Sequence, residues 1–106
     1  MINSLSPREA KEFLDANPNA KLVDVRTDEE YEIARIPGSI LANNADRVKA
    51  LLELPRDTPL VMQCHHGIRS LSASNFFINH GFTNVFNLTG GIDAWSDDVD
   101  PTIPKY

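Results

Sequence analysis

The sequence predicts an α/β domain built around a mostly parallel sheet. Its 106 residues are enough for one domain with a single core. Short β-rich apolar runs alternate with segments whose apolar residues recur at helical spacing, which is typical of a parallel sheet covered by helices. Gly and Pro stand singly between these segments, with no repeat or low-complexity tract. We therefore expect one domain over residues 1–106.

The first predicted helix begins after Ser6. This serine is suited to the N-cap, a proline follows in the first turn, and a glutamate stands three residues after the cap. Ala10, Phe13 and Leu14 then lie on one helical face, and Asn17-Pro18 ends the helix.

The rest of the chain alternates between the two kinds of element. The predicted strands are Lys21–Val25, Ser39–Leu41, Leu60–Gln63 and Val85–Leu88. The predicted helices are Asp28–Ala34, Asn44–Glu53, Ser70–His80 and Ile92–Ser96. Gly81 ends the third of these, and Phe82 is placed to pack back on it. The tail Asp97–Tyr106 contains two prolines, so we expect it to extend over the surface with its three aspartates solvated.

Charge and composition exclude several classes of protein. Ten Lys and Arg stand against fifteen Asp and Glu, a net charge of -5, and no basic cluster could neutralise several phosphates. Nucleic acid is therefore not an expected partner. No apolar run is long enough for a signal peptide or a membrane span. Cys64 is the single cysteine, which excludes an intrachain disulfide and favours a reducing cytoplasm.

The segment Cys64–Ser70 joins an apolar strand to a helix. Ligands of open α/β sheets bind at the carboxyl ends of the strands, where Cys64 is predicted to lie. Gly67 allows a tight curl whose N–H groups point inward, and the helix that follows adds its positive end. These dipoles and the Arg69 cation lower a thiol pKa, so Cys64 is a candidate nucleophile. The alternative is a small buried hydrophobe at Cys64 and a surface salt bridge at Arg69.

His65 and His66 raise the question of a metal site. Adjacent residues on a loop rarely face one ion, and His80 is the only other histidine, so we predict no metal. The two rings are expected to line the mouth of the loop, where either could titrate near neutral pH and tune a bound anion.

Five segments carry a family resemblance across nearly the whole chain. They are Leu22–Arg26, Glu29–Tyr31, Ile36–Ser39, Cys64–Ser70, and the C-terminal signature from Gly81–Val85 through Gly90-Gly91-Ile92 to Trp95. In this order they resemble a single-domain rhodanese, a sulfurtransferase. The resemblance implies a three-layer α/β/α fold with a mostly parallel five-stranded sheet and helices on both faces.

The resemblance also implies roles for the residues of the loop. Cys64 would take a sulfane sulfur from thiosulfate or a small persulfide and pass it to cyanide, a thiol or a protein thiol. Arg69 would hold the anionic end of the donor, and no metal or organic cofactor would be required. The N–H groups expected to stabilise the charge on sulfur are those of His65, His66, Gly67, Ile68 and Arg69.

Three further residues are expected to support the site. Asp24 and Arg26 are assigned a buried ion pair and hydrogen-bond network, since charges within a strand are expensive unless paired. Ser70 is a supporting residue of the loop. Arg35 stands where the family often has His before Ile-Pro-Gly, a change that bears on stability or partner choice.

Other functions of the same fold stay open. Cell-cycle phosphatases and certain arsenate reductases resemble it, but have five residues between Cys and Arg, whereas four separate Cys64 from Arg69. A noncatalytic binding module is the alternative from another class, although inactive members typically lose the cysteine. A sulfur relay to one specific protein would use the same chemistry. The sequence leaves the physiological donor, the acceptor and the oligomeric state open.

Overall fold

The computed structural model describes residues 2–106 and confirms the predicted α/β fold. The strands are β1 (Asn3–Leu5), β2 (Lys21–Asp24), β3 (Ile40–Leu41), β4 (Leu60–Gln63) and β5 (Val85–Leu88). These five strands form one parallel sheet in the order β1-β5-β4-β2-β3. The helices of the described residues are α1 (Pro7–Ala16), α2 (Asp28–Ile33), α3 (Ala45–Leu52), α4 (Arg69–Asn79) and α5 (Gly91–Asp98).

Strand β1 is the strand that the sequence did not locate. It pairs with β5 in a register that sets Asn3 against Phe86 and Leu5 against Leu88. Its three residues carry no β-rich or alternating pattern. The strand therefore forms because β5 offers a free edge, since strand formation depends more on neighbours than on intrinsic preference.

The helix starts follow local hydrogen bonds. The predicted capping box at Ser6 is present, with its side chain accepting from the Glu9 N–H. A second box, which the sequence analysis did not identify, joins Thr27 and Glu30 at the start of α2. This second box places the Glu30 carboxylate beside the loop that follows β2.

The core is divided between the two faces of the sheet, which makes three layers. On one face Val61, Ile92 and Trp95 pack with α1 and α5, and on the other Met62 and Phe77 pack with α3 and α4. Successive side chains of β4 enter opposite layers, as strand geometry requires. None of the helices in residues 2–106 has the length and apolar character that crossing a bilayer requires.

Strand order places the candidate site. From β2 the chain crosses to β3 on one side, whereas from β4 it crosses to β5 on the other. The carboxyl ends of β2 and β4 therefore border the crevice of a topological switch point, where open α/β sheets bind ligands. Cys64 leaves β4 at this point, and Arg26 follows β2 beside it.

Most of the tail lies on the surface as predicted, but it is neither fully extended nor fully exposed. Helix α5 continues to Asp98, and the chain then folds back so that Ile103 joins the core and its carbonyl accepts from Ser96 Oγ at 2.8 Å. Lys105 pairs with Asp97 at 3.0 Å. The surface prediction was wrong for Ile103, because burying its apolar side chain fixes the tail against α5.

Candidate active site

Cys64 lies at the base of the loop between β4 and α4, and the residue is only 1% exposed. Its Sγ accepts a hydrogen bond from the Gly67 N–H at 3.1 Å. The Ser70 hydroxyl lies 3.5 Å from the same sulfur. The loop therefore presents hydrogen-bond donors to the sulfur, as a site for negative charge on sulfur would require.

The pKa of the Cys64 thiol lies below its ordinary value of 9.0. Burial raises this pKa, but the hydroxyl and N–H of Ser70 and the N–H groups of Gly67 and His66 lower it by more. Ser70, expected only as support, thus contributes directly. Within the described part of the chain, Gly67 is the one predicted N–H donor that makes a hydrogen bond to Sγ; the N–H groups of His65, His66, Ile68 and Arg69 make none.

Gly67 is required by its backbone and by its surroundings. It has a φ of +94°, and a Cβ there would lie 3.1 Å from the Gly90 nitrogen and 3.2 Å from the Leu88 oxygen. Any larger residue would be strained and would push the loop away from β5. The N–H that bonds Sγ is therefore held in place by a glycine.

Helix α5 holds the loop from its other side. The Ile92 N–H donates to the Cys64 carbonyl at 2.8 Å, and the Asp93 N–H donates to the His65 carbonyl at 3.1 Å. A Cβ on Gly91 would lie 2.2 Å from the Cys64 oxygen. The N–H groups at the start of α5, which have no partner within the helix, thus fix the backbone of Cys64 and His65.

Asn87 is a buried residue of the site that the sequence analysis missed. From β5 its Nδ2 donates to the Gly67 carbonyl at 3.1 Å, and its Oδ1 lies within hydrogen-bond distance of the Ser70 hydroxyl oxygen. It therefore fixes both residues that contact Sγ. The available signal was a lone polar residue inside the apolar run Val85–Leu88, since buried polar groups require partners.

Arg69 lies at the mouth of the loop, where the structure pairs it with Glu30. Arg69 Nη1 and Nη2 donate to the two carboxylate oxygens of Glu30 at 2.6 and 2.9 Å. Arg69 holds the pKa of Glu30 well below its usual range, helped by the Thr27 N–H and the Tyr106 hydroxyl. Sequence reasoning assigned no role to Glu30, although it belongs to one of the segments that carry the resemblance.

Asp24 and Arg26 form the ion pair expected of them, and both side chains are fully buried. Arg26 Nη2 lies 2.7 Å from Asp24 Oδ2 and also donates to the Ala34 carbonyl. Its Nη1 donates to the Tyr106 hydroxyl at 2.8 Å. The buried pair thus reaches the mouth of the loop through a residue of the tail.

The two loop histidines stack instead of pointing apart. The rings of His65 and His66 lie 4.0 Å apart, and Tyr106 covers the other face of His65 at 4.1 Å. Burial lowers the pKa of His65, and the neighbouring charge of His66 lowers it further. A stack of three aromatic rings, those of His66, His65 and Tyr106 and here called the ring ladder, therefore borders the mouth of the loop.

A group of possible metal ligands adjoins this ladder. One ligand atom each from His65, His66 and Asp93 lies within 4.8 Å of the others. Sequence reasoning did not foresee this group because Asp93 comes from α5. Lys105 donates to Asp93 Oδ1 at 2.9 Å, and the charge of this ammonium group disfavours a cation on the same carboxylate.

The sequence and the fold of this chain are each similar to those of known proteins. A family model described as "Rhodanese-like domain" matches residues 6–98. A crystal structure of a rhodanese-like domain protein from Staphylococcus aureus superimposes with a TM-score of 0.77, 26% identity and 99% coverage of both chains.

Two curated relatives differ in length. The chain is 34% identical to "Thiosulfate sulfurtransferase GlpE" of Pseudomonas paraeruginosa, over 86% of this chain and 81% of that protein. It is 32% identical to "Probable adenylyltransferase/sulfurtransferase MoeZ" of Mycobacterium tuberculosis over 98% of its length, which spans only 27% of that relative.

Proposed function

The chain belongs to the rhodanese-like domain family, and on that premise we propose that it is a sulfurtransferase that carries sulfur on Cys64. The observation that supports this most directly is the 3.1 Å hydrogen bond from the Gly67 N–H to a buried sulfur at the carboxyl end of β4. The lowered pKa of Cys64 makes the thiolate, the nucleophilic form of cysteine, more available near neutral pH.

In the proposed first step the Cys64 thiolate attacks the outer sulfur of thiosulfate. A new S–S bond forms to Cys64 Sγ, the sulfane S–S bond breaks, and sulfite leaves with the electron pair. The two charges of thiosulfate leave on sulfite, and the single charge of the thiolate passes to the terminal sulfur of the persulfide. A small-molecule persulfide would react in the same way and release its thiolate.

The described residues provide for the charges of this step. The N–H groups that lower the thiol pKa surround Cys64 Sγ, the atom that bonds the transferred sulfur, so their dipoles also favour negative charge on the adjacent terminal sulfur. Arg69 donates two N–H groups to Glu30. A guanidinium has five, so three remain to bind an anionic sulfur donor. Its side chain is 45% exposed and accessible from the mouth.

In the second step an acceptor attacks the outer sulfur of the persulfide. Cyanide would form thiocyanate, and a thiolate of a small molecule or a protein would form a new persulfide. Cys64 leaves as the thiolate in either case, so each step balances with these groups alone. The product of the first step is gone before the acceptor reacts, which predicts ping-pong kinetics. The reaction requires a free thiol, which favours a reducing compartment such as the cytoplasm.

The test is the intact mass of the protein after incubation with thiosulfate and then with cyanide. The wild type should gain one sulfur atom and lose it to cyanide with release of thiocyanate. Cys64→Ser keeps the size of the side chain and should gain nothing. If the wild type takes no sulfur from thiosulfate or from a small-molecule persulfide, the proposal fails and a noncatalytic binding module replaces it.

A further inference from the structure

We propose that Tyr106 is a positioning residue that sets the charge at the mouth of the Cys64 loop by holding Glu30, the partner of Arg69. Tyr106 does not contact the sulfur; it acts through the carboxylate that it binds. The role it would serve in catalysis rests on the proposed function, because an anionic sulfur donor would enter through this mouth.

The Tyr106 hydroxyl stands between a cation and an anion. It accepts a hydrogen bond from Arg26 Nη1 at 2.8 Å and donates one to Glu30 Oε2 at 2.7 Å. Arg26 is only 1% exposed and is held by Asp24 and by backbone carbonyls. The direction of the phenol hydrogen bond is therefore fixed, because an arginine can only donate.

The rest of the tail brings the ring to this place. Ile103 is buried in the core, and Lys105 bonds Asp93 at 2.9 Å. The phenol ring then stacks on His65 with an interplanar angle of 10°. Three independent contacts on neighbouring residues thus keep Tyr106 at the mouth.

This hydroxyl changes what Glu30 does to Arg69. Glu30 Oε2 receives both Arg69 Nη2, at 2.9 Å, and the Tyr106 O–H. A donor that is itself polarised by Arg26 withdraws negative charge from the carboxylate. The Arg69 guanidinium is then less fully neutralised and attracts an anion more strongly. Without the hydroxyl, the carboxylate is more negative and anions are disfavoured.

The experiment uses the fact that Cys64 is the only cysteine. Its alkylation rate is measured with iodoacetate, an anion, and with iodoacetamide, its neutral counterpart. Both reagents attack the same thiolate, so a change in the thiol pKa cancels in the ratio of the two rates. Tyr106→Phe keeps the ring on His65 and removes the hydroxyl. We expect the ratio to fall about three- to tenfold, the change typical of one hydrogen bond, with the iodoacetamide rate unchanged.

Tyr31→Phe is the matched control. Tyr31 is the other tyrosine, and among residues 2–106 its hydroxyl makes one hydrogen bond, to the Ser39 carbonyl at 3.1 Å. This variant should leave the ratio at the wild-type value. In a Glu30→Gln background, Tyr106→Phe should also leave the ratio unchanged, because the carboxylate through which Tyr106 acts is gone.

A parallel kinetic measurement connects the proposal to sulfur transfer. Tyr106→Phe should raise KM for thiosulfate about three- to tenfold and leave kcat within about twofold, since one hydrogen bond near the donor is lost and the nucleophile is untouched. An unchanged alkylation ratio, or an equal change with both reagents, would overturn the role of Tyr106. If the wild type takes up no sulfur, only the sulfurtransferase proposal fails, because the ratio of the two alkylation rates still tests the role of Tyr106.

Discussion

Two arginine–carboxylate pairs lie on either side of the Tyr106 hydroxyl and differ in their exposure. Asp24 and Arg26 are fully buried, whereas the side chains of Glu30 and Arg69 are 17% and 45% exposed. Both pairs have contacts shorter than 3 Å. The same chemistry is thus placed once inside the protein and once at the entrance to its candidate site.

The difference in exposure assigns different consequences to the two pairs. A buried charge that loses its partner cannot be solvated by water, so breaking the inner pair, Asp24–Arg26, costs much free energy. In the more exposed outer pair, Glu30–Arg69, either side chain can replace its partner by water or by a ligand at little cost in free energy. Burial therefore makes Asp24–Arg26 part of the framework, and exposure leaves the charge of Arg69 available to an anion.

The largest effect should come from breaking the inner pair. Asp24→Asn leaves the Arg26 guanidinium buried without a counter-charge, and we expect the free energy of unfolding to fall by about 3–5 kcal/mol. Urea denaturation measures it. Asp28→Asn is the matched control, because it breaks an exposed pair with Arg47 and should lower the free energy of unfolding far less. Similar losses in the two variants would contradict the comparison.

Breaking the outer pair from the cationic side should affect catalysis more than folding. Arg69→Gln keeps most of the length of the side chain and removes its charge. We expect kcat/KM for thiosulfate to fall about tenfold or more, the loss typical of a hydrogen bond to a charged group, with stability changed by less than about 1 kcal/mol. Steady-state kinetics and urea denaturation give the two numbers. A large loss of stability at full activity would reverse the roles of the two pairs.

The outer pair should also appear in the dependence of stability on pH. The folded-state pKa of Glu30 lies below its ordinary value of 4.5, so folding releases protons in that range. The contribution of Glu30 is therefore complete above pH 4.5 and is lost as the pH falls below it toward the lowered folded-state pKa.

Glu30→Gln isolates this contribution and retains the capping box of α2, since glutamine also serves there. The wild type should be more stable by about 1 kcal/mol at pH 7, a value reduced for solvent exposure. The difference should shrink as the pH is lowered from 5 to 3. A difference that stays constant over this interval would show that Glu30 is not held by Arg69 in solution.

The smallest effect concerns a buried polar group beside the inner pair. Gln63 is paired with Asp24 in the register of β4 and β2, and its two amide atoms are buried with no hydrogen-bond partner in the described residues. Gln63→Met replaces it with an apolar side chain of similar size. We expect a gain of about 0.5–1 kcal/mol, measured by thermal unfolding, because the cost of desolvation disappears. A loss of stability would show that the amide is satisfied in solution.

Local features of the sequence were enough for most elements of the fold. The capping box at Ser6, the Gly81 terminus of α4 and the apolar runs of β2, β4 and β5 each act within a few residues along the chain. For the same reason the loop that begins at Cys64 could be placed at the end of a strand and before a helix. Strand β1 was not predicted because its three residues form a strand only through their pairing with β5.

The sequence by itself determined the α/β fold class, most of its elements and the place of the loop that begins at Cys64. Tertiary structure alone decided which residues surround them: Asn87 behind the loop, Glu30 on Arg69, and Tyr106 on His65. Tyr106 and Glu30 are separated by 76 positions, and their hydrogen bond exists because the burial of Ile103 turns the tail back toward the loop. Sequence patterns predict interactions between residues that are close in the chain. The charge at this mouth depends instead on residues far apart in the chain, which only the folded core brings together.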